Sequence, residues 1–413
     1  MNIRLVTSAL IVSLGGLVFG YDLGALSSAS QSLRSAFTLL PSAFGLTISA
    51  SLWGTVFGSL LAGWIADRIE RRILIMACAV VYAVAALTTF AQVPSEWILV
   101  LAIRFTCGLA IGGFTVGCPL YLSELAPISH RGRFVSLFQI QIGAGVVIAF
   151  FVGLLVTKGV VTKDAWKWCL GTGAIPAIVL VGLLMLLPAE KPEFRTGMSK
   201  SLSAAGGHFG RDKLFRRGNT RALLLATSIA VFNQLSGVNV LLLYMLDILA
   251  GAGIGRSLGH TYTVVISCVS LLITMIAMTA VDIWGRKPLL LVGSTGMAVC
   301  LFYLALSAPR HFAPGVYLSI LIAYNVFFAF SQGILVWVYL SELFPPGIRG
   351  AGQGYGSSVH WIANAIMISV FPAMQHALSN RAFYVFAVVM VVQIAVVWLW
   401  YPETRRTSLG SSL

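Results

Sequence analysis

Two ionisable side chains, Asp22 and Arg104, fall inside long apolar stretches, where a charge is costly and therefore points to function. An acid beside a guanidinium can store a proton. In apolar surroundings a carboxyl without a counter-charge holds its proton, whereas a nearby arginine favours release. Moving the arginine during a conformational change would switch the carboxyl between the two states. The other reading is a fixed structural ion pair.

A second group of residues is uncharged. Gln139, Asn233, Gln234, Asn239, Trp337, His360, Trp361 and Asn364 also sit in apolar stretches. Amides both donate and accept hydrogen bonds, which suits a solute rich in hydroxyls, and indole rings cover its apolar faces. Gln234 and Asn239 flank Ser236-Gly237, and the glycine can loosen a helix so that both amides face one cavity. His360 and Asn364 are spaced to share a helical face, His360 as a neutral hydrogen-bonding ring. Hydrogen bonding between membrane helices is the competing role for Gln139, Gln234, Asn239, Trp337 and Asn364, and packing or an interface position is the competing role for Trp361.

Catalytic constellations are missing from the sequence. It contains no HExxH, no GxSxG, no P-loop and no carboxylate pair at membrane depth, which argues against a membrane enzyme or a nucleotide-driven pump. None of the six cysteines forms a CxxC pair, so neither a metal site nor a disulfide framework is expected. No cofactor is implied.

The elements that must hold these groups are transmembrane helices. Hydrophobic residues make up 58% of the 413 and charged residues 10%, against about 25% charged in a soluble domain. Twelve apolar stretches, each long enough for a helical span, lie near 5–26, 44–66, 73–92, 97–121, 134–157, 168–188, 222–248, 261–281, 288–307, 316–340, 354–377 and 382–401. Helices satisfy their own backbone groups in lipid, so an all-α transmembrane chain is the natural reading. Asp22 falls toward the outer end of the first stretch and Arg104 within the fourth.

The net charge of +14 invites nucleic acid as a partner, but its placement argues against it. With the N-terminus inside, 19 of the 27 lysines and arginines fall in cytoplasmic segments, seven in outer loops, and Arg104 in the membrane. That asymmetry predicts both termini in the cytoplasm.

The chain repeats itself. Asp67, Arg68, Arg71 and Arg72 after the second stretch correspond to Asp282, Arg286 and Lys287 after the eighth. Tyr121-Leu-Ser-Glu124-Leu-Ala-Pro127 with Arg131-Gly132 corresponds to Tyr339-Leu-Ser-Glu342-Leu-Phe-Pro345 with Arg349-Gly350, and Pro192-Glu193 to Pro402-Glu403. The expected plan is an N-terminal six-helix bundle (1–188), a polar cytoplasmic linker (189–220), a second bundle (221–401) and a short tail (402–413). The linker is either a flexible tether or a carrier of short amphipathic helices. Asp67, Arg71, Arg72, Glu124, Arg131, Glu193, Asp282, Arg286, Lys287, Glu342, Arg349 and Glu403 would form a cytoplasmic network that latches helices, and the two bundles, together. Single exposed pairs are worth about 0–1 kcal/mol, but a network that must break on opening can bias a two-state equilibrium.

These motifs carry a resemblance over essentially all twelve helices. Gly20-Tyr21-Asp22, the two Asp-Arg loops, both Ser-Glu-Leu-x-Pro segments, Gln234-Leu-Ser-Gly-Val-Asn239 and Pro402-Glu-Thr-Arg405 together resemble the sugar porters of the major facilitator superfamily. The resemblance implies a twelve-helix fold of two six-helix bundles related by a pseudo-two-fold axis. It also implies proton-coupled import of a monosaccharide or similar polyol, with Asp22 as proton carrier and Arg104 as its partner. By the same resemblance Gln139, Gln234, Asn239, Trp337 and Asn364 contact the sugar. An uncoupled facilitator, or an exporter of another organic solute, is the alternative on the same fold. Asn233, Leu243 and His360 depart from the usual pocket residues, and the proline usual before Trp337 is absent. Lipid bilayer, sugar and proton are the expected partners, in a monomer of a bacterial inner membrane.

Overall fold

The computed structural model describes residues 3–39, 41–66, 68–90, 96–127, 130–159, 164–187, 214–245, 248–249, 253–310 and 313–403. All its regular elements are helical. The N-terminal half comprises α1 (Ile3–Ala36), α2 (Pro41–Ala66), α3 (Arg71–Thr88), α4 (Trp97–Leu125), α5 (Arg131–Gly159), α6 (Ala165–Gly171) and α7 (Ala174–Leu186). The C-terminal half comprises α8 (Thr220–Leu235), α9 (Val238–Leu243), α10 (Arg256–Trp284), α11 (Arg286–Arg310), α12 (Pro314–Phe330), α13 (Gln332–Glu342), α14 (Arg349–Leu378) and α15 (Ala382–Trp400). Residues 188–213 and 404–413, most of the expected linker and tail, lie outside the described residues.

Eleven of the expected spans are long and apolar enough to cross a membrane among the described residues. The twelfth is α14, whose length of 30 residues accompanies a buried polar file that includes Gln353, Ser357, Ser358, His360 and Asn364. Large apolar side chains such as Trp64, Ile98, Leu186 and Trp398 point outward all round the structure. A water-soluble protein would not expose so many, and lipid is the solvent that accommodates them.

Three spans are discontinuous. The sixth breaks at Thr172-Gly173 between α6 and α7, and the tenth at Ser331 between α12 and α13. The seventh breaks at Gly237, which takes a left-handed φ of 84° that only glycine adopts freely. The freed Ser236 carbonyl accepts a hydrogen bond from the Tyr324 hydroxyl at 2.9 Å, so the break is satisfied inside the protein.

The halves are wired alike. Contacts of α1 with α5, α2 with α4 and α3 with α7 are matched by α8 with α14, α10 with α12 and α11 with α15. Between halves, α2 packs on α14 and α5 on α10, again an equivalent pair. At the α2–α14 crossing, Gly63 and Gly354 face each other so closely that a Cβ on either would lie 2.7–2.8 Å from the other's Cα. The Ser59 and Ser358 hydroxyls hydrogen-bond alongside at 2.8 Å.

Candidate functional site

Asp22 on α1 and Arg104 on α4 meet in the membrane interior. The guanidinium donates through Nη1 to Oδ1 at 2.7 Å and through Nη2 to Oδ2 at 2.9 Å. A forked pair of this kind fixes geometry as well as charge. Two further helices complete it: Ser51 Oγ of α2 accepts from Arg104 Nη2 at 2.9 Å, and Tyr82 Oη of α3 donates to Asp22 Oδ1 at 3.1 Å. Sequence reasoning missed Ser51 and Tyr82. A lone hydroxyl in an apolar run carries no sequence signal of a long-range partner.

The uncharged group converges on a cavity of about 130 Å³ between the halves. Gln139, Asn233, Gln234, Asn239, Trp337, His360 and Trp361 all line it. The break at Gly237 places Gln234 at the end of α8 and Asn239 at the start of α9, and Asn239 Nδ2 donates to Gln234 Oε1 at 2.8 Å. Gln234 Nε2 donates to the His360 ring at 2.7 Å and to Asn233 Oδ1 at 3.1 Å. Asn233 Nδ2 in turn donates to the Gln332 carbonyl at 3.1 Å, just beyond the break in the tenth span. Across the halves, Trp337 Nε1 donates to Gln139 Oε1 at 2.9 Å.

Aromatic rings form one wall. His360 lies between Trp337 and Trp361, with ring centroids 5.3 and 5.1 Å away, and Phe19 of α1 meets Trp361 edge-on at 5.2 Å. Phe19 and Leu23 both line the cavity, and they flank Asp22 on α1, so a single helix touches cavity and ion pair. Asn364 departs from the expectation: it is buried but does not line this cavity, and its carboxamide finds no partner. The fourth residue on from His360 follows the same helical face, but a full turn further along it has left the cavity. Ser270 of α10, which the sequence reading passed over, lines the cavity with a buried hydroxyl that has no partner.

The repeated loop motifs gather at one end of the helices. Arg71 pairs with Glu124 at 3.2 Å, and Arg286 pairs with Glu342 at 2.8 Å, equivalent contacts in the two halves. Glu403 accepts from the backbone N–H groups of Arg286 and Lys287 at 3.0 and 3.1 Å, a carboxylate capping the N-terminus of α11. Arg131 Nε donates to the Ser123 carbonyl at 3.0 Å and also lies within electrostatic reach of Glu342 and Arg286 of the other half. Arg349 is buried where α14 begins, and among the described residues Arg72 reaches the Met185 carbonyl at 3.5 Å. Asp282 falls in the last turn of α10, while Asp67 and Glu193 lie outside the described residues. Among the described residues no cluster of histidine, cysteine and carboxylate side chains is arranged for a metal.

The chain matches the family model described as "Sugar (and other) transporter" over residues 8–201 and 189–411. It is 30% identical to the glucose transporter GlcP of Staphylococcus epidermidis over 96% of this chain and 94% of that one. It is 30% identical to the galactose-proton symporter of Escherichia coli strain K12, over 97% of this chain and 91% of the relative. Its fold matches that of the proton:xylose symporter XylE bound to 6-bromo-6-deoxy-D-glucose with a TM-score of 0.86, at 24% identity and 98% coverage of both chains. The protein is therefore a sugar porter of the major facilitator superfamily, a family of transporters, and a multi-pass protein of the bacterial plasma membrane.

Proposed function

We propose that the protein imports a monosaccharide, hexose or pentose, or a similar polyol, together with a proton by alternating access. The observation that carries this reading is the position of α1: one of its faces holds the buried Asp22–Arg104 pair while Phe19 and Leu23 border an uncharged cavity of amides and indoles. A sugar needs donors and acceptors without net charge, which is what Gln139, Gln234 and Asn239 supply. A proton needs a carboxyl whose counter-charge can be withdrawn, which Asp22 and Arg104 supply if α1 and α4 shift relative to each other.

The mechanism has three parts. Sugar binding in the cavity draws the halves together, because Gln139 comes from one half and Trp337, Gln234 and His360 come from the other. Protonation of Asp22 frees Arg104 and loosens α1 against α4. The paired rims, Arg71–Glu124 and Arg286–Glu342, with Arg131 and Arg349 beside them, then part to open the cytoplasmic end. In this reading both termini are cytoplasmic, the two bundles rock as units over 1–188 and 221–401, and one chain suffices without cofactor, metal, nucleic acid or enzymatic step.

Uptake by purified protein in sealed liposomes tests the whole reading, using labelled hexoses, pentoses and polyols with and without an inward proton gradient. Gradient-driven accumulation of one of them is the expected result. Downhill movement alone would make the protein a facilitator and Asp22 a structural residue. Transport of no sugar or polyol would show that the His360 and Leu243 departures have moved the pocket to another solute.

A further inference from the structure

A second cavity, of about 490 Å³, opens on the membrane-facing side between α8 and α15, away from the central one. Its walls are apolar: Leu224, Leu225, Val231 and Phe232 on one side, Val396, Leu399 and Trp400 on the other. Leu224, Leu399 and Trp400 are 59%, 64% and 66% exposed, so the groove faces outward along the bilayer. Its polar floor is already satisfied, since Thr227 bonds Tyr355 and Ser228 bonds Tyr401, each at 2.7 Å between hydroxyl oxygens.

One charged residue lines the groove. Arg221, in the first turn of α8, stands at its mouth, exposed, with Arg217 one turn earlier at the start of the short helix that leads into α8 and Arg216 just before it. None of the three makes an ion pair among the described residues. From Arg221 to Phe232 the wall runs about 16 Å at 1.5 Å per residue, close to the depth of one leaflet in a hydrocarbon core about 30 Å thick. A cation at the interface above an apolar channel one leaflet deep is complementary to an anionic headgroup above an acyl chain.

We propose that this groove binds an anionic phospholipid, with Arg221 and Arg217 holding the phosphate and the channel between α8 and α15 holding an acyl chain. The bound lipid would bear on α8 directly behind the cavity amides, because Phe232 of the groove precedes Asn233 and Gln234 in the same helix.

Native mass spectrometry of the full-length protein in mixed micelles tests this, with dioleoyl phosphatidylglycerol compared against dioleoyl phosphatidylcholine. The wild-type protein should retain phosphatidylglycerol preferentially, and Arg217→Gln with Arg221→Gln should weaken retention about fivefold for each arginine removed. These residues are exposed, so the variant keeps its fold. Arg381→Gln, an exposed arginine remote from the groove, should leave retention unchanged. Val231→Phe, which narrows the channel and keeps both arginines, should also lower retention. Equal retention of the two lipids, or retention that the double substitution does not change, would overturn the proposal; so would an equal loss in Arg381→Gln. A groove covered by the chain's own 188–213 linker would give the first of these results.

Discussion

Arg104 holds Asp22 through both terminal nitrogens of its guanidinium, and neither residue is more than 3% exposed. A buried pair of this quality is not primarily a source of stability, because desolvating two charges offsets much of their attraction. In the proposed cycle its value lies in being broken by a proton. Asp22→Asn removes the proposed proton carrier, so uphill accumulation should be abolished in gradient-driven uptake while exchange of preloaded substrate persists. The same substitution leaves Arg104 as an uncompensated buried charge, a change that costs about 3–5 kcal/mol in other buried pairs. Its thermal midpoint should accordingly fall, and Asp22→Asn with Arg104→Gln should recover part of that loss. Equal loss of accumulation and exchange would remove Asp22 as the proton carrier.

Tyr82 donates to the same Asp22 oxygen that Arg104 Nη1 engages. Hydrogen bonds to charged groups contribute about 1.5–3 kcal/mol, so Tyr82→Phe should perturb the pair without dissolving it. Reduced accumulation at equal downhill flux is the expected outcome, measured side by side in the same vesicles. Ser51→Ala, which removes the acceptor for Arg104 Nη2, should act in the same direction. Loss of downhill flux in step with accumulation would show these hydroxyls to be structural only.

The indole N–H of Trp337 reaches Gln139 across the interface between halves. Trp337→Phe keeps a ring in the wall and deletes that bond, which is worth about 0.5–1.5 kcal/mol net. Half-saturation for the transported sugar should rise roughly twofold to tenfold, while Gln139→Ala and Gln234→Ala, which remove amides proposed to contact the solute, should exceed that. A Trp337→Phe protein with unchanged half-saturation would mean that the bond is made only in this conformation and not with sugar bound.

Much of this arrangement is legible in the sequence, for identifiable reasons. Twelve apolar runs announce twelve spans because lipid leaves a backbone no other partner. The equivalence of Arg71–Glu124 and Arg286–Glu342 is visible in the repeated motifs, since a duplicated loop places the same side chains at the same helix ends. The break at Gly237 is foreshadowed by its glycine between two amides. The break at Ser331 has no glycine or proline at the break itself: a serine there takes φ −130° and ψ −88°, a conformation its residue type does not announce. Ser51 and Tyr82 escape for a related reason: both are ordinary helix residues until α2 and α3 are brought against the Asp22–Arg104 pair. Asn364 shows the limit of helical periodicity, which assigns a face but not the depth at which a cavity ends.

The Gly63–Gly354 crossing makes the last prediction. At the end of the helices where the ionic rims lie, α2 and α14 touch backbone to backbone, and the Ser59 and Ser358 hydroxyls are 2.8 Å apart. If that end must part for solute to leave, a covalent tie there should arrest the cycle. Oxidation of the Ser59→Cys/Ser358→Cys protein should therefore stop uptake, and a reductant should restore it. Either single cysteine variant controls for the six native thiols. Gly354→Leu makes the opposite intervention, since its side chain has no room against Gly63 and the Ser59 carbonyl. That protein should be held open at the rim end, retaining sugar binding in a thermal-shift assay while losing transport. Continued uptake by the oxidised double-cysteine protein would show that this crossing does not separate during transport, and would place the moving interface elsewhere, at the equivalent α5–α10 contact.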